Sequence, residues 1–284
     1  MSHPPAILFD RARLRKQRQR RAADFARHDF LLREAAASLA ESLDSITFRF
    51  PTIVELGSTG HLAPLLARRP GTERIITTDS TSAFSPTLIA DEEWLPFADA
   101  SLDAIVSANA LHWVNDLPGT FAQIRRALKP DGLFLAIFPG PDTLRELRTC
   151  FAEAEAQLYG GITPRIAPFP DVRDAGGLLQ RTGFALPVID REILTVTYPD
   201  LRTLMHDLRG SAQSNMLQQK AQHFSSRRFF NLTEKIYREK FTDAENRLIA
   251  SFEFVTLTAW APAPTQQQPA KRGSGQISLK DVLN

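Results

Sequence analysis

IADEEWLPFADASLDAIVSANALHWVNDLPGTFAQIRRALKPDGLFLAIF, Ile89–Phe138, decides the fold. Leu102–Ser107 is a short apolar run of the kind that forms a strand buried on both faces. Asn115 and Asp116 can cap a following helix whose first turn tolerates Pro118. Leu117, Phe121, Ile124 and Leu128 recur at spacings that place them on one helical face. Lys129-Pro130-Asp131-Gly132 stops that helix, and Leu133–Phe138 is the next apolar strand. A strand–helix–strand unit of this length is a right-handed crossover in a parallel sheet. Loops Ala90–Phe97 and Ala108–Asp116 then leave the carboxyl ends of strands, where open α/β sheets bind ligands.

Working outward, Thr52–Leu56 reads as the first core strand, running into Glu55-Leu56-Gly57-Ser58-Thr59-Gly60-His61. Glycines in such a turn let the backbone approach a ligand closely. Arg74–Thr78 is a second strand, ending at Asp79. Asp79 lies close to the spacing past the first strand at which an acid takes ribose hydroxyls in nucleotide-binding α/β folds. Turn chemistry alone would also place an acid there. Ser80–Pro86 is too short for the usual crossover helix, so this side of the pocket is expected to be open.

ADEEWLPF (90–97), LDAIVSANALHWVNDLP (102–118) and LKPDG (128–132) resemble the class I S-adenosylmethionine (SAM) methyltransferases. LHWVNDLP, GPDTLRELR (140–148) and ASFEFVTLTAW (250–260) are similar to the family of complex I assembly factors described as protein-arginine hydroxylases, with bacterial relatives. A neighbouring family, the malonyl-acyl-carrier-protein O-methyltransferases, shares the middle and matches the C-terminal end less well. The resemblance runs from Phe9 to Pro262.

It implies a Rossmann-like sheet with an N-terminal helical lid and a helical insert before the last strands. The expected organisation is a basic lid over 1–45, a SAM-binding core over 46–140, a substrate-side insert with the last strands over 141–262, and a disordered tail over 263–284. SAM is the implied cofactor. Glu55, Gly57, Ser58, Gly60, Asp79, Asp91, Glu92 and Asn109 are the implied cofactor contacts, with Asp91 accepting from the adenine amino group. In the glycine loop only Glu55 and Gly57 keep the family's register; Thr59 and His61 stand at the next glycine positions, or Gly60 replaces the last glycine. His112 is read either as a base or as a hydrogen-bonding wedge for Trp113. Tyr198, Arg202, Arg209 and Asn215, on a segment with helical apolar spacing, are the implied substrate side.

Function therefore reads as a SAM-dependent methyltransferase-like protein acting on a protein substrate, a complex I subunit by resemblance, by methylation or arginine hydroxylation. Two alternatives stand beside it: a non-catalytic assembly factor with a degraded cofactor site, and a malonyl-carrier O-methyltransferase.

Composition bounds these readings. Net charge is +2, so no nucleic-acid partner is announced. One cysteine, Cys150, excludes a disulfide framework and a cysteine metal cluster. The 6 histidines are scattered without metal-ligand spacing, and no metal site is expected. No apolar run reaches the roughly 20 residues of a membrane helix. A cytoplasmic protein, or a mitochondrial-matrix one in a eukaryote, is expected, monomeric or weakly self-associating.

Basic residues at 11, 13, 15, 16, 18, 20, 21 and 27 make Phe9–Arg27 an anionic-surface patch, a presequence or the solvated face of a helix. The last is preferred, since the segment resembles the family's own N-terminus. Asp24–Leu43 carries a helical apolar stripe, with Arg27, His28 and Asp29 either near ligand or a surface cluster.

Overall fold

The apolar runs become the middle of a single sheet. In the computed structural model, which describes residues 7–169, 172–219 and 225–267, the order of elements is as follows. Helix α1 (Arg11–Arg21), a 3₁₀ turn (Phe25–Arg27) and α2 (Phe30–Asp44) lead into β1 (Thr52–Leu56), α3 (Ala63–Leu66), β2 (Arg74–Asp79) and β3 (Leu88–Ile89). Then come β4 (Leu102–Ala108), a 3₁₀ turn (Leu111–Trp113), α4 (Leu117–Ala127) and β5 (Leu128–Pro139). The C-terminal half adds α5 (Arg145–Tyr159), α6 (Val172–Arg181), β6 (Ala185–Tyr198), α7 (Leu201–Gly210), α8 (Arg227–Lys240) and β7 (Leu248–Trp260).

The 7-stranded sheet has the order β3-β2-β1-β4-β5-β7-β6. β1 to β5 pair in parallel, and β7 slots antiparallel between β5 and β6. The order reverses at β1, flanked by β2 and β4, so the loops after β1, β2 and β4 open on one crevice.

Successive residues of the central strands serve opposite faces, and both faces are covered. Val54, Leu56 and Ile105 pack with α4 and α6, while Ile53, Ala104 and Val106 pack with α2 and α3. Asp116 caps α4 by accepting from the Gly119 amide at 2.9 Å, with Pro118 in the first turn. A third cluster joins α5, α7 and α8 around Phe229 and Tyr237 beyond the ends of β6 and β7. The antiparallel pair of β6 and β7 therefore belongs both to the sheet and to the helical cap.

The N-terminal stretch departs from the expected continuous helix. Asp24–Leu43 is broken: a 3₁₀ turn precedes α2, which starts at Phe30. The apolar stripe is confined to α2, with Leu32, Leu39 and Leu43 buried. α1 forms from strong helix formers behind an Asp10 cap that accepts from the Arg13 amide at 2.9 Å. It has almost no apolar face, so propensity alone would not fix it on the fold. Phe9 and Leu14 anchor it by packing with Trp113, Met216 and Leu217. Burying two such side chains contributes about 1.5–3 kcal/mol each. A short antiparallel bridge between Phe9 and Leu217 fastens the lid to the segment after α7. The expected tail also begins late: Ala263 is buried, and Gln266 donates to Asp131 at 2.8 Å. Residues 268–284, including the ISLKDVL segment, lie outside the described residues.

Candidate cofactor and substrate site

β1 and β2 end side by side, which brings Glu55 and Asp79 together; the loop after β3 adds Asp91 and Glu92. Glu55, Asp79 and Glu92 are buried, Asp79 completely. Three acids in one crevice repel one another unless cations enter, and the cations come from α1. Arg18 pairs with Asp79, and Arg11 bridges Asp91 and Glu92. Arg15 adds a contact to Asp91 at 3.2 Å. The spacing of 11, 15 and 18 puts the three guanidinium groups on one side of the helix.

Arg18 also donates to the Ser58 carbonyl at 3.3 Å and lies over the Phe84 ring at 5.1 Å. It thus spans the loop after β1, the Asp79 carboxylate and an aromatic face. This corrects the reading of the basic segment as a solvated face. Arg18 is 7% exposed, and its role was missed because its partners stand far along the chain. Arginines recurring at helical spacing ahead of a chain with unmatched strand-end acids were the signal available.

Glu55 has no arginine of its own. Burial pushes its carboxyl up to about 7, against hydrogen bonds from Ser58 and the Ala63 backbone that favour the ion. Its Oε2 has no partner. Gly57 sits at φ +70, and a Cβ there would meet the Ala110 Cβ at 2.1 Å. Close approach of the loop after β4 thus demands glycine at this point, before any ligand is considered. Gly60 has φ +85 and open space around it, while the Ser58 hydroxyl accepts from the Gly60 amide at 3.2 Å.

His61 accounts for part of the altered loop. Its ring stacks on Phe25 of the lid at 6.0 Å, and its Nε2 stands 3.2 Å from Asp29. A side chain has replaced backbone freedom with a lid contact. The missing crossover helix after β2 is filled likewise, because Phe84 packs on Phe25 at 4.6 Å.

Asn109, at the end of β4, adopts φ 57 and keeps a buried Oδ1 without a partner. It lines a cavity of about 360 Å³, and the next residue, Ala110, lies against Gly57 of the loop after β1. That cavity is mostly apolar, walled by Leu31, Leu147, Phe151, Met205 and Phe252, with Arg13, Arg209 and Asn215 also lining it. Of the four expected substrate residues, Arg209 and Asn215 are there. Tyr198 and Arg202 are not among the lining residues: Tyr198 is buried in the cluster around Phe229, and Arg202 is exposed. β6 ends with Tyr198 turned inward, and the next helical turn carries Arg202 outward. The Asn215 amide is committed locally, donating to the Pro164 carbonyl at 3.0 Å.

His112 is buried, with Nε2 3.2 Å from Gln213 Oε1. Burial is the main reason its imidazolium is disfavoured, and its pKa falls to about 3. Such a ring stays neutral at physiological pH and is a feeble base. It packs on Trp113 at 4.6 Å between centroids, in the wedge role.

The acceptors fit a cationic, hydroxyl-rich nucleoside: acids at the ends of β1, β2 and β3, plus orphaned oxygens on Glu55 and Asn109. Arg11 and Arg18 hold most of those acids in the meantime.

Residues 54–136 match the methyltransferase domain family. The arginine-hydroxylase NDUFAF5 of Danio rerio mitochondria is 32% identical across 97% of this chain and 89% of its own length. The malonyl-[acyl-carrier protein] O-methyltransferase of Xylella fastidiosa is 36% identical across 90% of this chain and 89% of its own. Among solved structures, the SAM-dependent methyltransferase of Thermotoga maritima aligns with a TM-score of 0.50 at 16% identity. That alignment covers 87% of this chain and 99% of the other, a likeness of fold.

Proposed function

The chain belongs to the class I methyltransferase superfamily, in the group that holds NDUFAF5 arginine-hydroxylases and malonyl-carrier O-methyltransferases, and from that premise we propose a SAM-binding enzyme that modifies a protein-borne group. The observation that carries the reading is the rim of acids at the ends of β1–β3, beside a loop after β4 whose Asn109 lines the 360 Å³ cavity. Glu55 and its orphaned oxygen would hold the cationic methionine end. Asp79 would take ribose hydroxyls; Asp91 or Glu92 would take the adenine amino group. Gly57, Ser58 and Gly60 would supply backbone and hydroxyl donors. SAM supplies an electrophilic carbon on a sulfonium that is already activated. The chain's part is then to position the acceptor, exclude water with α1 and α2, and keep His112 neutral.

For any ligand to take these acids, Arg11 and Arg18 must leave them. The family resemblance extends the proposal to a complex I subunit as substrate, modified by methylation or arginine hydroxylation, in the cytoplasm or the mitochondrial matrix.

Two observations favour other readings. The ion pairs of α1 already satisfy three acids, as a non-catalytic assembly factor that dispensed with the cofactor would have them. Arg13, Arg165 and Arg209 on a mostly apolar cavity wall that carries a single acid, Glu253, favour a carboxylate on an acyl chain, the group a malonyl-carrier O-methyltransferase would present.

Calorimetric titration of the purified chain with SAM tests the proposal, with Asp79→Ala as the control. Expected is saturable binding that weakens roughly ten- to a hundred-fold in the variant, a loss of about 1.5–3 kcal/mol. No binding to the parent chain leaves the assembly-factor reading in possession. Mass spectrometry of a complex I subunit and of malonyl-carrier protein, each incubated with enzyme and SAM, separates the two substrates.

A further inference from the structure

Away from the acid-lined rim, the lid and the cap meet at a group of side chains that neither the cofactor nor the cavity uses. His28 follows the 3₁₀ turn of the lid, and His206 and Asp207 sit on α7. Among the described residues these three form a group able to hold a metal ion, their ligand atoms all within 4.8 Å of one another. We propose that His28, His206 and Asp207 bind one divalent first-row transition ion and that the ion clamps the lid to the cap.

The geometry is close to a coordination shell. Metal–nitrogen and metal–oxygen bonds of about 2.0–2.2 Å put neighbouring ligand atoms about 3 Å apart in an octahedron. His28 Nδ1 and Asp207 Oδ1 stand 2.8 Å apart. The two imidazole rings lie 4.7 Å apart between centroids at 67°, so they do not stack. His206 is exposed, and the proposal requires its side chain to rotate so that a ring nitrogen comes within ligand distance of the ion.

Two further features support a ligand rather than a bare hydrogen bond. Asp24 places a carboxylate oxygen 3.6 Å from His28 Nε2, where a carboxylate orients a ligating imidazole from its far side. The Tyr198 hydroxyl is buried without a partner, and Asp207 is the charge acting on it. The His28 ring is also fixed in place. It lies on the backbone of Gly210, where a Cβ would come within 2.1 Å of the ring.

Two imidazoles and one carboxylate suit a transition ion rather than Mg²⁺ or Ca²⁺, which take oxygen ligands. Three protein ligands leave coordination positions open, as in catalytic rather than closed structural sites. The same donor set, on other folds, holds iron(II) in oxygenases. The proposal is for binding and clamping, and it stands or falls independently of SAM.

The test is a titration of the full-length chain, freed of metal by chelation, with Co²⁺ followed by visible absorption and then displaced by Zn²⁺. Expected are saturable bands at one equivalent and a rise in Tm on Zn²⁺ addition. His206→Ala should weaken Co²⁺ at least ten-fold and abolish the Tm rise. His206 is exposed, so this variant should fold; its Tm without metal checks that, and Asp207→Asn provides a second route. Absence of one-equivalent binding, or unchanged affinity in His206→Ala and Asp207→Asn, overturns the proposal.

Discussion

The rim at the ends of β1–β3 and the cavity beneath the cap are neighbours built on opposite principles. The rim is crowded with charge, and three of its acids are matched by arginines from α1. The cavity is mostly apolar, with three arginines, one glutamate and a few neutral polar groups at its wall. A ligand entering the cavity gains by burying apolar area. At the rim it must exchange one set of charge partners for another, and its affinity is the difference between two large terms. The cavity can therefore be read from its shape. The rim must be read from what already occupies it.

The harshest way to break this contrast is Asp79→Ala. It strands the Arg18 charge, and removing one partner of a buried pair costs about 3–5 kcal/mol unless the helix lets go. Urea unfolding should show a loss near the lower figure, with α1 amides losing protection from hydrogen exchange. An unchanged midpoint would mean the rim is not held by its pairs.

Next in size is the pH response of Glu55. Its folded pKa of about 7 lies above the ordinary value of 4.5, so the native state keeps this proton longer than the unfolded chain. The resulting stability is fully present below about 4.5 and fades as pH rises through 7, by roughly 3 kcal/mol in all. His112 acts with the opposite sign, its depressed pKa costing stability as pH falls below 6.5 toward 3. The useful quantity is therefore the difference in slope between the parent and Glu55→Gln from pH 5 to 7. Equal slopes would remove the special status of Glu55.

A smaller effect sharpens the comparison. Arg18→Ala should tighten SAM binding about ten-fold, near 1.4 kcal/mol, because one competitor for Asp79 is gone. Weaker binding would make Arg18 part of the ligand's own site. Smallest is the effect expected at the cavity. Arg209→Ala should lower substrate modification a few-fold with SAM affinity unchanged, while Arg202→Ala alters neither. Equal effects from both would shift substrate docking to the outer surface of α7.

Much of this was legible beforehand, for physical reasons that also explain what was not. Strands buried on both faces are continuous apolar runs, so Thr52–Leu56 and Leu102–Ser107 stand out, and Asp79 at the end of β2 follows from its spacing past the first strand. Arg11 and Arg18 look solvated in sequence because a guanidinium becomes buried only when a distant carboxylate accepts it, and Asp79 is 61 positions from Arg18. His28 and Asp207 are 179 positions apart, beyond any local spacing rule. Tyr198 and Arg202 illustrate the reverse error. Each has chemistry suited to binding, yet a change from strand to helix between them turns one inward and the other to water.

Because α1 is joined to α2 by only a few residues, its arginines behave as a competitor on a leash. A short tether holds its load at an effective concentration on the order of millimolar. A small molecule seeking Asp79 and Asp91 sees its apparent affinity reduced by the fraction of molecules in which the leash is slack. Diluting the protein does nothing to help it. Altering the length or stiffness of 22–29 would retune the threshold at which the site opens while leaving every acid in the crevice untouched.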